Sequence, residues 1–199
     1  MVRQLPVIDP AAFRRRSAHQ SHPQFHSLSD VIDAYIRSHR VSAAAEMDFF
    51  RDNSFPVAIE YAALYKLADG HRHPHSYRRK LQALVEAHRR LRTIPEEMQR
   101  CSSFESLHTL IEQEIGGIPD IGPLTVYDVA TRIGAHLQLE PEKVYLHSGT
   151  MEGARALGLG ARRKTLEMSE LPVEFRRLTA GEVEDCLCIY KDYLGNFQA

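Results

Sequence analysis

No run of 18 apolar residues occurs in the 199-residue chain, so no membrane-spanning helix is expected. The opening stretch, MVRQLPVIDPAAFRRR, has no apolar segment of the kind that drives secretion, so export is not expected either. Cysteine is scarce. The three residues, Cys101, Cys186 and Cys188, are an odd number that argues against a disulfide framework and fits a reducing compartment. A cytoplasmic location is the expectation. Strand signals are nearly missing as well. No five-residue stretch alternates Val, Ile, Thr and aromatics between turn residues, and no internal repeat is visible.

What is present is a helical chain with a core. Hydrophobic residues make up 43% of the composition, too much for a disordered tail. Residues 1–26 are rich in Pro, His, Gln and Arg without a period, and read as a mobile or loosely docked arm. Residues 27–199 read as one all-α domain, a compact bundle of seven to ten helices. Ser27 and Asp30 stand at capping-box spacing before Val31, Ile32, Tyr35 and Ile36. Further helices are expected over Ser42–Arg51, from Phe55-Pro56 to a stop at Asp69-Gly70, over Tyr77–Leu91, after Ser103, after Glu140-Pro141, and after Thr179 with Glu182.

Charge is unevenly spread. Residues 1–93 carry 15 Lys and Arg against 9 Asp and Glu, while residues 94–199 carry 10 against 17. The basic runs Arg14-Arg15-Arg16, Arg78-Arg79-Lys80 and His88-Arg89-Arg90-Leu91-Arg92 suit a polyanionic partner, or are solvated helix faces. His71, His73 and His75 alternate in a polar loop with no well-spaced carboxylate or cysteine except Asp69, so no metal site is expected there.

The helical pattern breaks abruptly at Gly116-Gly117-Ile118-Pro119-Asp120-Ile121-Gly122-Pro123 and resumes with Leu124, Val126, Val129 and Ile133. Gly116 and Gly117 suit a left-handed helix end. Ile118 and Ile121 can tuck beneath the turn. Gly122 before a new helix leaves unpaired N–H groups and a positive dipole end, a phosphate site that needs no charged side chain.

Ile118 to Val126 resembles the helix-hairpin-helix motif, whose hairpin reads Leu-Pro-Gly-(Ile/Val)-Gly-x-x-Thr-Ala. The resemblance places the motif at 104–136 and implies a grip on a DNA backbone phosphate through main-chain amides, without sequence reading. It implies DNA-binding roles for Pro119, Ile121, Gly122, Leu124 and Thr125, to which the basic run adds Arg78 and Arg79. Asp120 replaces the first hairpin glycine.

Leu146-His147-Ser148-Gly149-Thr150 to Leu157-Gly158-Leu159 is further similar to the segment that carries the catalytic Asp of helix-hairpin-helix DNA glycosylases. The resemblance covers roughly residues 103–160. His147 stands where that Asp would be, and Leu124 where bifunctional members carry a nucleophilic Lys. The four-cysteine cluster of some members is absent. The family therefore implies a monofunctional enzyme that leaves an abasic site, in repair or in defence against modified phage DNA. It would act without a cofactor, as a monomer, on double-stranded DNA.

Candidate groups follow from the chemistry of N-glycosidic cleavage, which needs a flipped base, an anion or base, and a proton donor. His147 is a general acid or base, or a structural histidine at a helix start. Asp128 is an ion-pair partner of Arg132 four residues on, or a carboxylate held in a cleft. Tyr127 stacks on a base or belongs to the core. Glu184 and Asp185 lie in VEDCLCIYKDYL, where Glu184, Cys188 and Lys191 share a helical face that either lines a pocket or faces solvent. The competing functions are a non-catalytic DNA-binding protein and an interaction scaffold using the hairpin only as a turn.

Overall fold

The computed structural model describes residues 24–72, 79–160 and 163–197. The histidines at 73 and 75, Arg78 and most of the N-terminal arm lie outside these residues. The all-α expectation holds: ten α-helices dominate the described residues, joined by one two-stranded antiparallel sheet that the sequence did not announce. In chain order they are α1 (Leu28–Ser38), α2 (Arg40–Asp52), α3 (Phe55–Ala63), α4 (Leu81–Leu91), α5 (Pro95–Gln99), α6 (Phe104–Ile115), α7 (Pro123–Leu137), β1 (Lys143–Tyr145), α8 (Ser148–Ala156), β2 (Thr165–Glu167), α9 (Ala180–Ile189) and α10 (Lys191–Leu194). The strand register pairs Val144 with Leu166.

Helix starts follow side-chain chemistry. The Ser27 hydroxyl accepts the Asp30 amide at 3.2 Å while the Asp30 carboxylate accepts the Ser27 amide at 2.9 Å. Thr179 and Glu182 do the same before α9. Ser103 and Ser106 close α6 in the same reciprocal way. Each cap satisfies amides that a helix start leaves open, worth about 1 kcal/mol apiece.

The buried apolar residues form two cores. The first gathers α2 to α7, including Phe50, Leu84, Leu107, Ile111 and Ile133. The second gathers α1, both strands, α8, α9 and α10, including Ile32, Tyr35, Phe175, Leu187 and Leu194. α7 is the central helix of the first, buried on nearly every side from Thr125 to Ala135. Arg40, at the start of α2, bridges to the second core. Its Nε lies 2.6 Å from Glu182 Oε1, and its Nη2 donates to Glu182 Oε2 at 2.9 Å and to the Arg177 carbonyl at 2.8 Å.

Three local expectations differ from the fold. α3 stops at Ala63, because Tyr65 turns the chain with φ +52°. Glu140-Pro141 leads into β1 rather than into a helix, which begins only at Ser148. Gly116 is right-handed at φ −64°, and the left-handed residue of the turn is Asp120 at φ +71°.

Candidate functional site

The turn between α6 and α7 is built from inside outward. Ile118 and Ile121 are buried beneath it, and their amides bond to the carbonyls of Ile115 and Ile118 at 3.0 Å each. That anchors the turn without using its outer face. Pro119 and Asp120 are exposed. Gly122 caps α7 in an extended conformation, and no side chain caps the helix. The first helical bond is Val126 N–H to Gly122 O at 3.1 Å. Pro123 has no N–H, and the amides of Leu124 and Thr125 have no acceptor within the helix. A Cβ at Gly122 would meet nothing within 4 Å, so the turn is open above it.

Of the residues singled out for DNA, Pro119, Gly122 and Leu124 reach the surface. The side chains of Ile121 and Thr125 point into the protein, leaving only their backbone to a partner, and Tyr127 is buried. Arg79 is half-buried, and its carbonyl accepts from Arg72 Nη2 at 3.1 Å. Arg78 lies outside the described residues.

α7 leads from this turn to a buried polar seam between the two cores. Asp128, one turn beyond Leu124, accepts the Tyr65 hydroxyl at 2.7 Å. Arg132 donates to Glu46 Oε1 at 2.8 and 3.0 Å, and its guanidinium lies 4.6 Å from the Tyr65 ring centre. Across the seam α9 supplies Glu184 and Asp185. The Asp185 carboxylate accepts the Tyr35 hydroxyl at 3.2 Å, and Glu184 accepts the Thr150 hydroxyl. His147, at the start of α8, places Nδ1 4.0 Å from Glu184 Oε1. Its ring lies 4.5 Å from that of Tyr127, nearly perpendicular. His147 is 8% exposed and Glu184 6%, and neither ring nitrogen of His147 has a hydrogen-bond partner.

Two glycines bring these groups together. A Cβ at Gly153 would stand 2.2 Å from the Leu187 carbonyl oxygen, and one at Gly149 2.6 Å from Cys188 Sγ. Only hydrogen at those positions lets α8 lie against α9 closely enough for Thr150 and His147 to meet Glu184. The Gly149-x-x-x-Gly153 spacing was the available signal for this crossing, and for Thr150 between them. Tyr35, Tyr65 and Glu46 carry no comparable signal.

Burial sets the protonation states apart. It pushes Glu184 up to about 8, with the Asp185 charge adding to it. Asp185 rises to about 6, through burial and only partly relieved by the Tyr35 hydrogen bond. Burial pulls His147 down to about 4, reinforced by His108. At neutral pH the seam thus holds a protonated Glu184, a neutral His147 and an ionised Asp185. A proton donor and an acceptor in opposed environments are the components of acid–base chemistry. Burial opposes the Arg132 charge, but Glu46, Asp128 and Tyr65 outweigh it and keep the guanidinium protonated.

Lys191 stands apart. α9 ends at Ile189 with Tyr190 as its cap, and Lys191 opens α10 instead of continuing the Glu184 face, with its ammonium bound to Glu152 of α8. Of the two cysteines of α9, Cys186 is buried and Cys188 is exposed. Among the described residues no group of three or more His, Cys, Asp and Glu is placed to hold a metal ion, and no helix is long and apolar enough to cross a membrane.

The Glu184 shift has a thermodynamic consequence. A carboxyl raised in the folded state binds more protons than in the unfolded chain, so its stabilising contribution is lost as pH rises toward 8. His147 is lowered, and its contribution is lost as pH falls from 6.5 toward 4, which offsets Glu184 in the acid range. Above pH 6.5 the Glu184 effect is the largest, because Asp185, raised only to about 6, has already lost most of its proton and the His147 contribution is nearly complete. Unfolding stability is expected to drop by about 2 kcal/mol between pH 6.5 and 8.5. Glu184→Gln, which keeps an acceptor for Thr150, should flatten that decline in denaturant titrations. An equally steep decline in the variant would assign the pH dependence elsewhere.

Comparison with family models, curated proteins and solved structures gives no match for this chain.

Proposed function

We propose that this protein binds double-stranded DNA through a helix-hairpin-helix at 104–136 and acts as a monofunctional DNA glycosylase that removes a damaged or modified base. The observation that carries the reading is the course of α7. One end is an uncapped helix start under an open glycine, suited to a backbone phosphate. One turn further along, the same helix carries Asp128 into the seam that holds His147, Glu184 and Asp185, where its charge adds to the upward shifts of both α9 carboxyls. DNA held at the start of α7 lies within one helix of the acid–base groups in the seam.

In this reading the base leaves the stack, Glu184 gives the departing base its proton, and the Asp185 carboxylate supports positive charge developing on the sugar. Neutral His147 accepts a proton from the attacking water. No lysine stands in the hairpin to cut the strand, so the product is an abasic site.

A second reading, non-catalytic DNA binding, is favoured by one observation: His147 and Glu184 are more than nine-tenths buried, so catalysis requires the seam to open. Duplexes carrying varied modified bases, incubated with the protein and then treated with alkali, separate the two. Breaks appearing only after alkali support excision. Retarded migration without breaks supports binding alone. The absence of both breaks and retardation would overturn both readings.

A further inference from the structure

The first core is built from one continuous stretch, residues 40–137, and the second from the chain on both sides of it. The backbone therefore passes between them twice, at His39 and over residues 138–142. Among the described residues the extensive helix contacts lie inside one core or the other. α2, α3 and α6 pack on α7 in the first, and α8 packs on α9 and α10 in the second. α1 against α2 is the exception, and these two follow each other in the chain. The carboxyls of the seam are also served from their own side. Asp128 accepts Tyr65 and Glu46 accepts Arg132 in the first core, while Asp185 accepts Tyr35 and Glu184 accepts Thr150 in the second. Parting the cores leaves these four bonds intact.

Both crossings have the geometry of a hinge. His39 has φ −125° and ψ −38°, outside the regular helix on either side of it. Gln138 is left-handed at φ +59°, although not glycine. Rotations between packed units are absorbed at such element ends. Arg40 follows the first crossing directly. Its guanidinium holds Glu182 at two points and the Arg177 carbonyl at a third, all on the second core. Two further ties, Arg51 to Glu140 at 3.1 Å and Lys143 to Glu105 at 3.8 Å, are exposed on both sides and weak.

We propose that the two cores are lobes that open about His39 and Gln138, and that Arg40 is the pin that holds them closed. Opening draws the Tyr127 ring, on the first lobe, away from His147, on the second. It exposes Glu184 and the two ring nitrogens of His147, which are buried without a partner. The motion belongs to the free protein and does not depend on DNA. It also supplies the opening that excision at the seam requires.

The test is NMR of the full chain without DNA. Residual dipolar couplings report the relative orientation of the lobes, and relaxation dispersion reports exchange on the μs–ms scale of hinge motion. In the wild type, amides of both lobes should fit one alignment tensor, with small dispersion at Tyr127 and His147 from a minor open state. Arg40→Ala should raise the open population roughly tenfold. Dispersion at both amides then grows and the lobes require separate tensors, while couplings inside each lobe keep their wild-type fit. Glu182→Gln, which leaves an oxygen for the Thr179 amide, should give a smaller rise in the same direction, and it carries the test if Arg40→Ala does not fold. One common tensor and unchanged dispersion in the folded variant would overturn the proposal. Because no duplex is present, failure of the DNA reading leaves this result as it is.

Discussion

Gly153→Ala is expected to cost about 3 kcal/mol of stability, lowering the melting temperature by roughly 6–12 °C. The new methyl would stand 2.2 Å from the Leu187 carbonyl oxygen and 2.8 Å from its carbon. These are backbone atoms of α9, which cannot rotate away as a side chain could. Alanine gains about 1 kcal/mol over glycine in helix propensity, and that gain is too small to offset the clash. Relief requires α8 and α9 to separate by about an ångström, close to the difference between 2.2 Å and the shortest ordinary Cβ contact. Separation also withdraws the Thr150 hydroxyl from Glu184 and leaves a buried carboxyl without its donor. Gly117→Ala is the matched control, because a Cβ there meets nothing within 4 Å. Calorimetry of the two variants should show a large drop for the first and almost none for the second. Equal melting temperatures would mean that the α8–α9 contact is not close-packed.

Gly122→Glu is expected to leave the fold intact and reduce duplex affinity about 30-fold at low salt, equivalent to about 2 kcal/mol. The backbone at Gly122 is extended, with φ −107° and ψ 176°, a conformation open to any residue, and its missing Cβ faces empty space. A carboxylate at a helix start is mildly favourable for the helix itself. The same charge stands where the phosphate is proposed to lie and repels it. Stability and binding thus respond in opposite senses, which separates a lost site from a damaged protein. Gly122→Ala distinguishes bulk from charge: a tenfold loss from a single methyl would show that the duplex backbone approaches the turn to van der Waals distance. Undiminished affinity in Gly122→Glu would remove the hairpin from the binding surface.

The sequence made local chemistry readable. Capping at Ser27, Ser103 and Thr179 needs only residues three apart, and the expected helices begin there. The burial of Ile118 and Ile121 beneath the turn followed from their flanking of Pro119-Asp120. Positions that depend on distant parts of the chain were not readable in the same way. Tyr65 is left-handed at the end of α3 and donates to Asp128, 63 residues later. The regular period from Phe55 to Leu67 gives no hint of that stop. Arg132 was a natural i,i+4 partner for Asp128, yet its shortest ion pair is to Glu46, 86 residues earlier. Glu184 was a candidate for the face it shares with Cys188 and Lys191, and Asp185 as its neighbour, while the elevation of both carboxyls arises from burial in the folded chain, which no linear pattern encodes. Lys191 was grouped with Glu184 by a helical period that the chain interrupts at Tyr190.

The central claim is that main-chain amides at one turn receive a DNA phosphate. It is tested most directly by recording backbone amide NMR signals of the full chain while an unmodified duplex is added at low salt. The Gly122, Leu124 and Thr125 amides should shift earliest and furthest downfield, as expected for N–H groups gaining an anionic acceptor. These shifts should collapse as salt is raised. Saturable binding that moves other amides and leaves those three in place would contradict the account.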